Sequence, residues 1–354
     1  MKRRFLSLFL ALLLLFTLAG CQKSSSSQDD ANKDSAQQEQ QKEEEEKTPE
    51  ENTDDVTIRV AGLKGPTAMG MVKMMDDSAK GDAQGNYDFT LAGAPEELTG
   101  PIVQGEFDIA AVPTNLASTL YNKTQGKVQL AALNTLGVLY IVETGDSIQS
   151  VEDLRGRTIY ATGKGSTPEY ALNYVLTQNG LTPGEDVQVE YKTEHSELAA
   201  LLAAGQADLA LLPQPFVTSV LTQNENARVA LDLTQLWEDA AQGESVLTMG
   251  CLLVQKSFAQ EHPQALATFL KEYQESVDYV TDENNLDEVS TLIEEQGIIT
   301  KAVAQKALPQ CNIVCITGDE MKTMTQGFLE ILMNADPTSV GGALPGDDFY
   351  YLES

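Results

Sequence analysis

Two stretches of this sequence that lie 100 residues apart share one pattern, and this internal repeat constrains the fold more than any other feature. Residues 58–74 read IRVAGLKGPTAMGMVKM, and residues 158–174 read TIYATGKGSTPEYALNY. Both run from a strand-like apolar segment through a glycine-containing loop into a segment with helical spacing of apolar residues. Without gaps, the match aligns Ala61 with Ala161, Lys64 with Lys164, Gly65 with Gly165 and Thr67 with Thr167.

The same offset continues further along the chain. Residues 104–113, QGEFDIAAVP, correspond to residues 204–213, AGQADLALLP. Each reads as a helix end, a glycine turn and a buried strand that stops at a proline. We therefore predict an α/β fold of two similar β-α-β-α-β lobes, each a sheet sandwiched by helices, with their glycine loops facing one cleft.

Both glycine loops carry the chemistry of a small-molecule site. The run Ser166-Thr167-Pro168 is typical of a helix start, because the hydroxyl accepts an otherwise unpaired N–H and proline is tolerated in the first turn. Glycines ahead of a helix let a ligand approach N–H groups at the positive end of the helix dipole. The loops predict a site for an anion or a carbonyl-rich molecule, although ordinary tight turns and caps have similar sequences.

Twelve residues are predicted to bind the ligand, because each lies in a glycine loop, directly after a strand, or on a crossing between the lobes. They are Lys64, Gly65, Pro66, Thr67, Thr114, Asn115, Gly165, Ser166, Thr167, Glu169, Gln214 and Met249. No arginine occurs in these loops, so backbone N–H groups and hydroxyls, rather than a guanidinium fork, would hold an anion. His195 follows a predicted strand and could face the cleft or serve only as a surface or capping residue.

The length and charge of the chain exclude one class of partner. The chain has 354 residues and a formal net charge of -30, from 53 acidic and 23 basic residues. This length exceeds one ordinary core, which favours two lobes. Nucleic acids and anionic lipid headgroups would repel such a chain, which contains no basic stripe, so nucleic-acid functions are excluded.

The N-terminus predicts export and lipid attachment. Residues 2–4, KRR, precede a nearly unbroken apolar run at residues 5–18, and residues 18–21, LAGC, match a bacterial lipobox. Residues 1–20 are therefore predicted to be a signal peptide. Acyl chains such as palmitate on Cys21 would hold the protein at the extracytoplasmic face of the cell membrane. The alternative is an ordinary cleaved signal followed by a stray cysteine.

The segment after the lipobox, residues 21–55, is rich in Ser, Gln and Glu and is predicted to be a disordered acidic tether. Two crossings between the lobes are predicted, near residues 140 and 252. The predicted division assigns residues 56–139 together with 253–354 to lobe 1 and residues 140–252 to lobe 2.

The sequence contains no recognisable catalytic or metal-binding signature. There is no GxSxG, HExxH or phosphate-loop motif, and no cysteine lies near either histidine. Cys311 and Cys315 lie in CNIVCI, which alternates like a strand, so their spacing of about 13 Å is too long for a disulfide. They are interpreted as buried thiols, and no cofactor or metal is expected.

Five segments together resemble a known family. They are KGPTAMGMVKMM, QGEFDIAAVPTN, GKGSTPEYALNYVL, AGQADLALLPQP and SVGGALPGDDFYY. With the lipobox and the acidic tether, they resemble the type II solute-binding lipoproteins of bacterial ABC importers. Within this group, the sequence is similar to the branch that binds nitrate, sulfonates, taurine and thiamine-pyrimidine precursors.

The resemblance implies a receptor rather than an enzyme. Two lobes joined by hinge strands would close over a small polar or anionic organic solute and present it to an ABC permease and its ATPase. The protein would act as a monomer, without a cofactor. An enzyme branch of the same fold makes the thiamine pyrimidine with clustered cysteines and an active-site histidine, and this sequence lacks that cluster.

Two other functions remain open at this point. An enzyme on the same fold, acting on a pyrimidine-like substrate, would need a nucleophile or a base in the cleft, for which His195 is the candidate. A sensor or adhesion lipoprotein would instead expose an apolar patch larger than the cleft.

Overall fold

The structure is a computed structural model that describes residues 56–352. The predicted signal peptide, the lipid-carrying Cys21 and the tether up to residue 55 lie outside the described residues. Between residues 56 and 352, no helix is both long and apolar enough to cross a lipid bilayer.

The first sheet has six strands. In chain order they are β1 (Thr57–Leu63), β2 (Asn86–Ala92), β3 (Ile109–Pro113), β4 (Val128–Leu136), β10 (Thr248–Gln255) and β11 (Ile313–Ile316). Their spatial order is β11-β4-β10-β3-β1-β2. Strand β1 pairs in parallel with β2 and β3, whereas β10 runs antiparallel to both β3 and β4. The central parallel strand β3 is apolar and buried throughout, as expected for a strand covered on both faces, whereas the edge strand β2 also carries exposed polar residues.

The second sheet has five strands. They are β5 (Leu139–Thr144), β6 (Thr158–Ala161), β7 (Gln188–Tyr191), β8 (Leu209–Pro213) and β9 (Ala227–Asp232), in the spatial order β7-β6-β8-β5-β9. Strand β6 is parallel to β7 and β8, and β5 is antiparallel to β8 and β9. Three parallel strands followed by an antiparallel one therefore recur in both sheets, which confirms the predicted α/β fold.

The strand registers show that the repeat is not gapless. Ala61 on β1 pairs with Ala110, whereas the residue that pairs with Ala210 in the other sheet is Tyr160. The alignment of Ala61 with Ala161 is therefore wrong by one residue. The first helical residues are Pro66 and Thr167, so the path from strand to helix is two residues longer in the second sheet.

Thirteen α-helices are described. They are α1 (Pro66–Met69), α2 (Val72–Lys80), α3 (Pro95–Gln104), α4 (Thr114–Thr124), α5 (Thr167–Gln178), α6 (His195–Ala203), α7 (Phe216–Gln223), α8 (Leu233–Ala240), α9 (Lys256–Glu261), α10 (Pro263–Thr281), α11 (Leu286–Glu295), α12 (Lys301–Ala307) and α13 (Gly318–Ala335). Short 3-10 turns lie at Val151–Leu154, Glu283–Asn285, Leu308–Gln310, Pro337–Val340 and Asp347–Phe349.

The spacing of apolar residues predicts a single helix over residues 67–76, but the structure has two helices there, α1 and α2. The break falls at Gly70 and Met71. A side chain at Gly70 would place a Cβ 2.7 Å from the Tyr273 hydroxyl on α10. This close approach of α10 requires glycine, and glycine also weakens a continuous helix.

Apolar residues from both sheets contribute to one cluster of buried side chains. Leu133 on β4, Ile141 on β5 and Leu211 on β8 belong to it. Helix α13 joins the same cluster through Phe328, whose ring centroid lies 5.4 Å from that of Trp237 on α8. A helix from the end of the chain therefore packs against a helix that follows the second sheet.

Strand β10 belongs to the six-stranded sheet over its whole length. Thr248 pairs with Leu136, and Gly250 pairs with Pro113. Residues 248–252, which the sequence analysis assigns to the second lobe, therefore lie in the sheet of the first.

The last part of the described chain, residues 336–352, forms a segment that we call the C-terminal strap. The Asn122 side chain on α4 donates hydrogen bonds to the carbonyl oxygens of Val340 (2.9 Å) and Ala343 (2.7 Å). The Ser118 hydroxyl donates to the same Val340 oxygen at 2.9 Å. These bonds satisfy carbonyl groups of a segment that has no regular partner strand.

Cys251, Cys311 and Cys315 are free thiols, and the sequence predicts this for Cys311 and Cys315. Cys251 and Cys311 are buried, but Cys315 is only partly buried. Burial raises the pKa of the Cys311 thiol to about 12, so it stays protonated at neutral pH.

A buried carboxylate gives the second sheet a predictable acid sensitivity. Glu143 on β5 is 1% exposed, accepts hydrogen bonds from Ser147 and Ile148, and pairs with Arg228. Burial acts to raise the pKa of Glu143, but the Ile148 and Ser147 hydrogen bonds and the Arg228 charge together hold it below its usual value.

We expect Glu143→Gln to lower the free energy of unfolding at pH 7 by about 1–3 kcal/mol, because the amide cannot accept all of these bonds. A depressed carboxylate pKa stabilises the folded state above the unfolded pKa, and this contribution is lost as the pH falls through the folded pKa. The difference between variant and parent should therefore shrink as the pH falls towards about 3.

Urea titrations at several pH values measure this difference. The exposed Glu185, changed to Gln, is the matched control and should leave the stability curve unchanged. If the stability difference between Glu143→Gln and the parent instead grows as the pH falls, the depressed pKa of Glu143 is contradicted.

Candidate functional site

A cavity lies where the carboxyl ends of parallel strands from the two sheets meet. Its wall contains Leu63, Lys64, Gly65, Pro66, Thr67, Gly93, Pro95, Pro113, Thr135, Val138, Thr162, Gly163, Ser166, Pro168, Thr193, His195, Pro213 and Met249. The empty space between these walls, including the part open to solvent, is about 650 Å³. Open α/β sheets bind ligands at such strand ends.

The first glycine loop reaches the cavity through Gly65. This residue has φ 141° and ψ −158°, a conformation that side chains strongly disfavour. Among the described residues, its N–H donates to no backbone acceptor. The neighbouring Thr67 hydroxyl donates to the Leu63 carbonyl at 3.1 Å. The loop therefore offers an N–H without a backbone partner beside a hydroxyl oxygen.

The second loop reaches the cavity through Gly163 and Ser166. Gly163 has φ 71°, and a Cβ there would lie 2.6 Å from the Ser166 hydroxyl oxygen. That hydroxyl donates to the Gly163 carbonyl at 2.7 Å and caps no N–H of α5, so the predicted capping role of Ser166 is wrong. This hydrogen bond connects the two ends of the loop segment from Gly163 to Ser166.

Of the twelve residues predicted from sequence, six line the cavity: Lys64, Gly65, Pro66, Thr67, Ser166 and Met249. The other six, Thr114, Asn115, Gly165, Thr167, Glu169 and Gln214, are absent from its wall. The Gly165 N–H donates to the Glu169 carboxylate, so that amide is already occupied. The loops near positions 65 and 165 nevertheless border one shared space, as the repeat predicts.

Asn115 connects elements of the two sheets instead of lining the cavity. Its side chain is fully buried on α4, which follows the six-stranded sheet. The amide nitrogen donates to the Gly165 carbonyl at 3.3 Å and to the Ser339 carbonyl of the C-terminal strap at 3.0 Å. The amide oxygen accepts from the Thr167 hydroxyl at 3.2 Å. One carboxamide thus joins the strap, the first lobe and the second loop.

Gln214 makes a second connection of this kind. It directly follows β8, and its side-chain nitrogen donates to the Gln310 side-chain oxygen at 2.9 Å. Its oxygen accepts from the Thr218 hydroxyl at 2.8 Å. Gln310 immediately precedes the segment that leads into β11, so this contact also joins parts of the chain that belong to different sheets.

His195 lines the cavity and is the functional candidate that sequence reasoning left undecided. Its ring hydrogen-bonds Thr162 and lies 5.2 Å, between centroids, from the Phe216 ring. Desolvation by burial lowers the pKa of the His195 imidazole to about 4. The ring is therefore neutral at physiological pH and has both a donor and an acceptor nitrogen.

Sequence reasoning missed most of the proline and threonine residues in the wall. Pro95, Pro113, Pro168 and Pro213 each lie at a strand or helix end, and Thr135 and Val138 flank the passage between β4 and β5. The strand-end prolines were visible in the sequence as strand stops. No sequence signal shows which side of a crossing strand faces the cleft.

The wall carries little charge. Among the lining residues, Lys64 carries a full positive charge, and its side chain is exposed. Within residues 56–352, Arg59 pairs with Asp108 and Arg228 with Glu143, while Arg155 pairs with Glu152 and Asp186. No group of histidine, cysteine or acidic residues in this range is arranged to hold a metal ion.

The chain contains two histidines, which makes the His195 assignment directly measurable. We expect one imidazole in NMR spectra to stay neutral until about pH 4, and its signal to be lost in His195→Gln. His262→Gln is the matched control and should retain that signal.

The lowered pKa of His195 predicts how the free energy of unfolding changes with pH. Because the folded pKa lies below the unfolded value of about 6.5, the unfolded state binds the proton first and stability falls from that pH towards pH 4. His195→Gln should flatten this part of the profile. A His195 ring that titrates near pH 6.5 would disprove the burial argument.

Comparison with known proteins places this geometry in a family. A family model described as an ABC transporter, phosphonate, periplasmic substrate-binding protein matches residues 86–304, which is more than half of the chain. A search of curated protein sequences gave no match.

Solved structures share the fold. An ABC transporter structure from Parabacteroides distasonis has a TM-score of 0.69 and 23% identity, over 84% of this chain and 99% of that one. The periplasmic aliphatic sulphonate-binding protein SsuA of Escherichia coli has a TM-score of 0.66 and 17% identity, over 84% and 92%. The periplasmic nitrate-binding protein NrtA of Synechocystis PCC 6803 has a TM-score of 0.53 and 14% identity, over 68% and 66%.

These matches confirm the predicted resemblance and the two-lobe type II fold, since sulphonate- and nitrate-binding proteins share the architecture. The members of the family are substrate-binding components of transporters rather than enzymes. The chain belongs to the family of phosphonate-type periplasmic substrate-binding proteins of ABC transporters.

Proposed function

We propose that this protein is the receptor of an ABC importer that captures a small polar or anionic organic solute and delivers it to the permease. The observation that carries the proposal is the cavity shared by Gly65 from one glycine loop and Gly163 and Ser166 from the other. A ligand there touches both lobes, so its binding energy depends on how closely the lobes approach.

The contacts of Asn115 and Gln214 support closure around that ligand. Both side chains join elements of the two sheets outside the cavity wall. Such bonds exist only when the lobes are close, so they add to the free energy that the ligand supplies on closing. A receptor of this design releases its ligand when the permease separates the lobes.

The N-terminal sequence completes the proposed arrangement. Cleavage after residue 20 and acylation of Cys21 would anchor the receptor at the extracytoplasmic face of the membrane. Residues 21–55 would then act as a spacer that lets a monomeric receptor reach the permease and its ATPase partner. In this proposal, lobe 1 comprises residues 56–139 with 253–354 and lobe 2 residues 140–252, except that residues 248–252 belong with lobe 1, in whose sheet they lie.

A thermal-shift screen of purified protein against a metabolite library tests the receptor function. A ligand that binds only the folded state at about 100 times its Kd adds about 2.7 kcal/mol of stability. We expect at least one small polar organic solute to raise the Tm, whereas the absence of any shift would contradict the proposal.

Gly65→Ala should weaken the response to whichever solute raises the Tm. The substitution imposes φ near 141° on an alanine and thereby strains the first glycine loop where it borders the cavity. Gly81→Ala is the matched control, because Gly81 also has positive φ and open space around it but lies at the end of α2. Equal ligand responses in both variants would argue against a role for the first loop.

Asn115→Ala should raise the apparent Kd about tenfold, because loss of the carboxamide bonds lowers the population of the closed state. Asn122→Ala on the same helix is the matched control. The Asn122 side chain donates its two hydrogen bonds to the C-terminal strap and so does not contribute to the contact with the second loop. Calorimetry gives the Kd, and spin labels on the two lobes report closure. If Asn115→Ala leaves both the Kd and the distance between the lobes unchanged, Asn115 does not contribute to closure.

A further inference from the structure

A second cavity adjoins the one described above, and three residues line both. Lys64 and Gly93 directly follow β1 and β2 of the six-stranded sheet, and His195 begins α6, which follows β7 of the five-stranded sheet. The empty space of the second cavity, including the part open to solvent, is about 460 Å³. We call the first space the main cavity and the second the side cavity.

The ring of Phe216 lies between the two cavities. Phe216 lines the side cavity. Its Cε2 atom lies 3.8 Å from the point where a Cβ would stand on Gly65, which lines the main cavity. The ring centroid is 5.2 Å from that of His195, and the two planes make an angle of 35°. Phe216 and His195 therefore form a wall between the two spaces, which we call the aromatic partition.

The aromatic partition is complete only when the lobes are together. Phe216 is 3% exposed and begins α7, which follows β8, and His195 is hydrogen-bonded to Thr162 at the end of β6. Both rings thus belong to the five-stranded sheet and its helices. Gly65 and Gly93, which complete the boundary, belong to loops of the six-stranded sheet. When the lobes separate, the two cavities become one open cleft.

The partition has a consequence for the size of the solute. As the lobes close, the Phe216 ring returns to its place beside Gly65. A solute that ends within the main cavity is then enclosed. A solute that extends past the ring would hold the lobes apart, because a close-packed contact between side chain and backbone has no room for another chain.

We propose, given the receptor function above, that Phe216 is a specificity-determining residue that limits the length of the solute to the main cavity. The receptor closes on short solutes and rejects homologues whose chain reaches the side cavity. Removal of the ring joins the two spaces, of about 650 and 460 Å³ with their solvent-open parts, and admits the longer homologues.

Homologous probes measure this length limit. They are alkylphosphonates, alkanesulfonates and carboxylic amides with unbranched methyl, propyl or hexyl chains, added to the metabolite library of the thermal-shift screen. Calorimetry gives the Kd of each probe for the full chain and for Phe216→Ala. The measured quantity is the ratio of the hexyl Kd to the propyl Kd for one head group. General loosening of the lobes changes both Kd values by the same factor and leaves this ratio unaltered.

We expect the parent to bind the hexyl probe at least about tenfold more weakly than the propyl probe of the same head group. In Phe216→Ala the ratio should fall by about tenfold or more, because each methylene group that becomes buried adds about fourfold to the affinity. Phe216→Leu keeps an apolar side chain of intermediate size, so it should shift the ratio in the same direction by a smaller factor.

Phe258→Ala is the matched control. Phe258 is 6% exposed, and its ring centroid lies 5.3 Å from that of His262, with an angle of 42° between the planes. The variant therefore loses the same kind of buried aromatic contact, but Phe258 belongs to neither cavity wall. Its stability should fall while the ratio of Kd values stays that of the parent.

Two results would overturn this inference and leave the receptor function intact. One is a parent that binds hexyl probes as tightly as propyl probes, or a ratio that Phe216→Ala does not change. The other is a library screen in which the solutes that stabilise the parent and Phe216→Ala span the same range of lengths. If no probe and no library solute raises the Tm of the parent or of either Phe216 variant, the receptor function is contradicted, and this inference with it.

Discussion

The buried carboxamide of Asn115 is the interaction on which the site depends. It bonds the Gly165 carbonyl, the Thr167 hydroxyl and the Ser339 carbonyl, and it is inaccessible to water. Because each group would be costly to leave unpaired in the interior, the second loop, helix α4 and the C-terminal strap are constrained to one arrangement. That arrangement brings Gly163 and Ser166 to the same space as Gly65.

Hydroxyl hydrogen bonds organise the two loops that border the cavity. Each loop closes with a hydroxyl that donates to a backbone carbonyl of the same loop, Thr67 to Leu63 and Ser166 to Gly163. Prolines at the strand ends stop the strands. The fold resembles sulphonate- and nitrate-binding proteins, but a shared fold does not carry over their ligand preference, which depends on the wall.

Six of the twelve residues that the sequence predicts to bind a ligand lie in the cavity wall, and the position of two others, Asn115 and Gln214, has a physical explanation. Asn115 and Gln214 follow buried strands, where a polar side chain can point either into the cleft or towards the opposite lobe. In the structure, the Asn115 side chain bonds Gly165 and Thr167, and the Gln214 side chain bonds Gln310. His195, Thr135 and Val138 line the cavity through the approach of separate chain segments, which no local pattern records.

The sequence by itself determined the α/β class, the duplicated lobe and the positions of the glycine loops, because strand and helix periodicity and glycine requirements are local properties. Only the tertiary structure decided which hydroxyls are spent on their own backbone, which amide joins the lobes and which residues face the cavity. Those properties depend on distances between segments far apart in the chain, such as Asn115 and Ser339. Composition and spacing do not encode such distances.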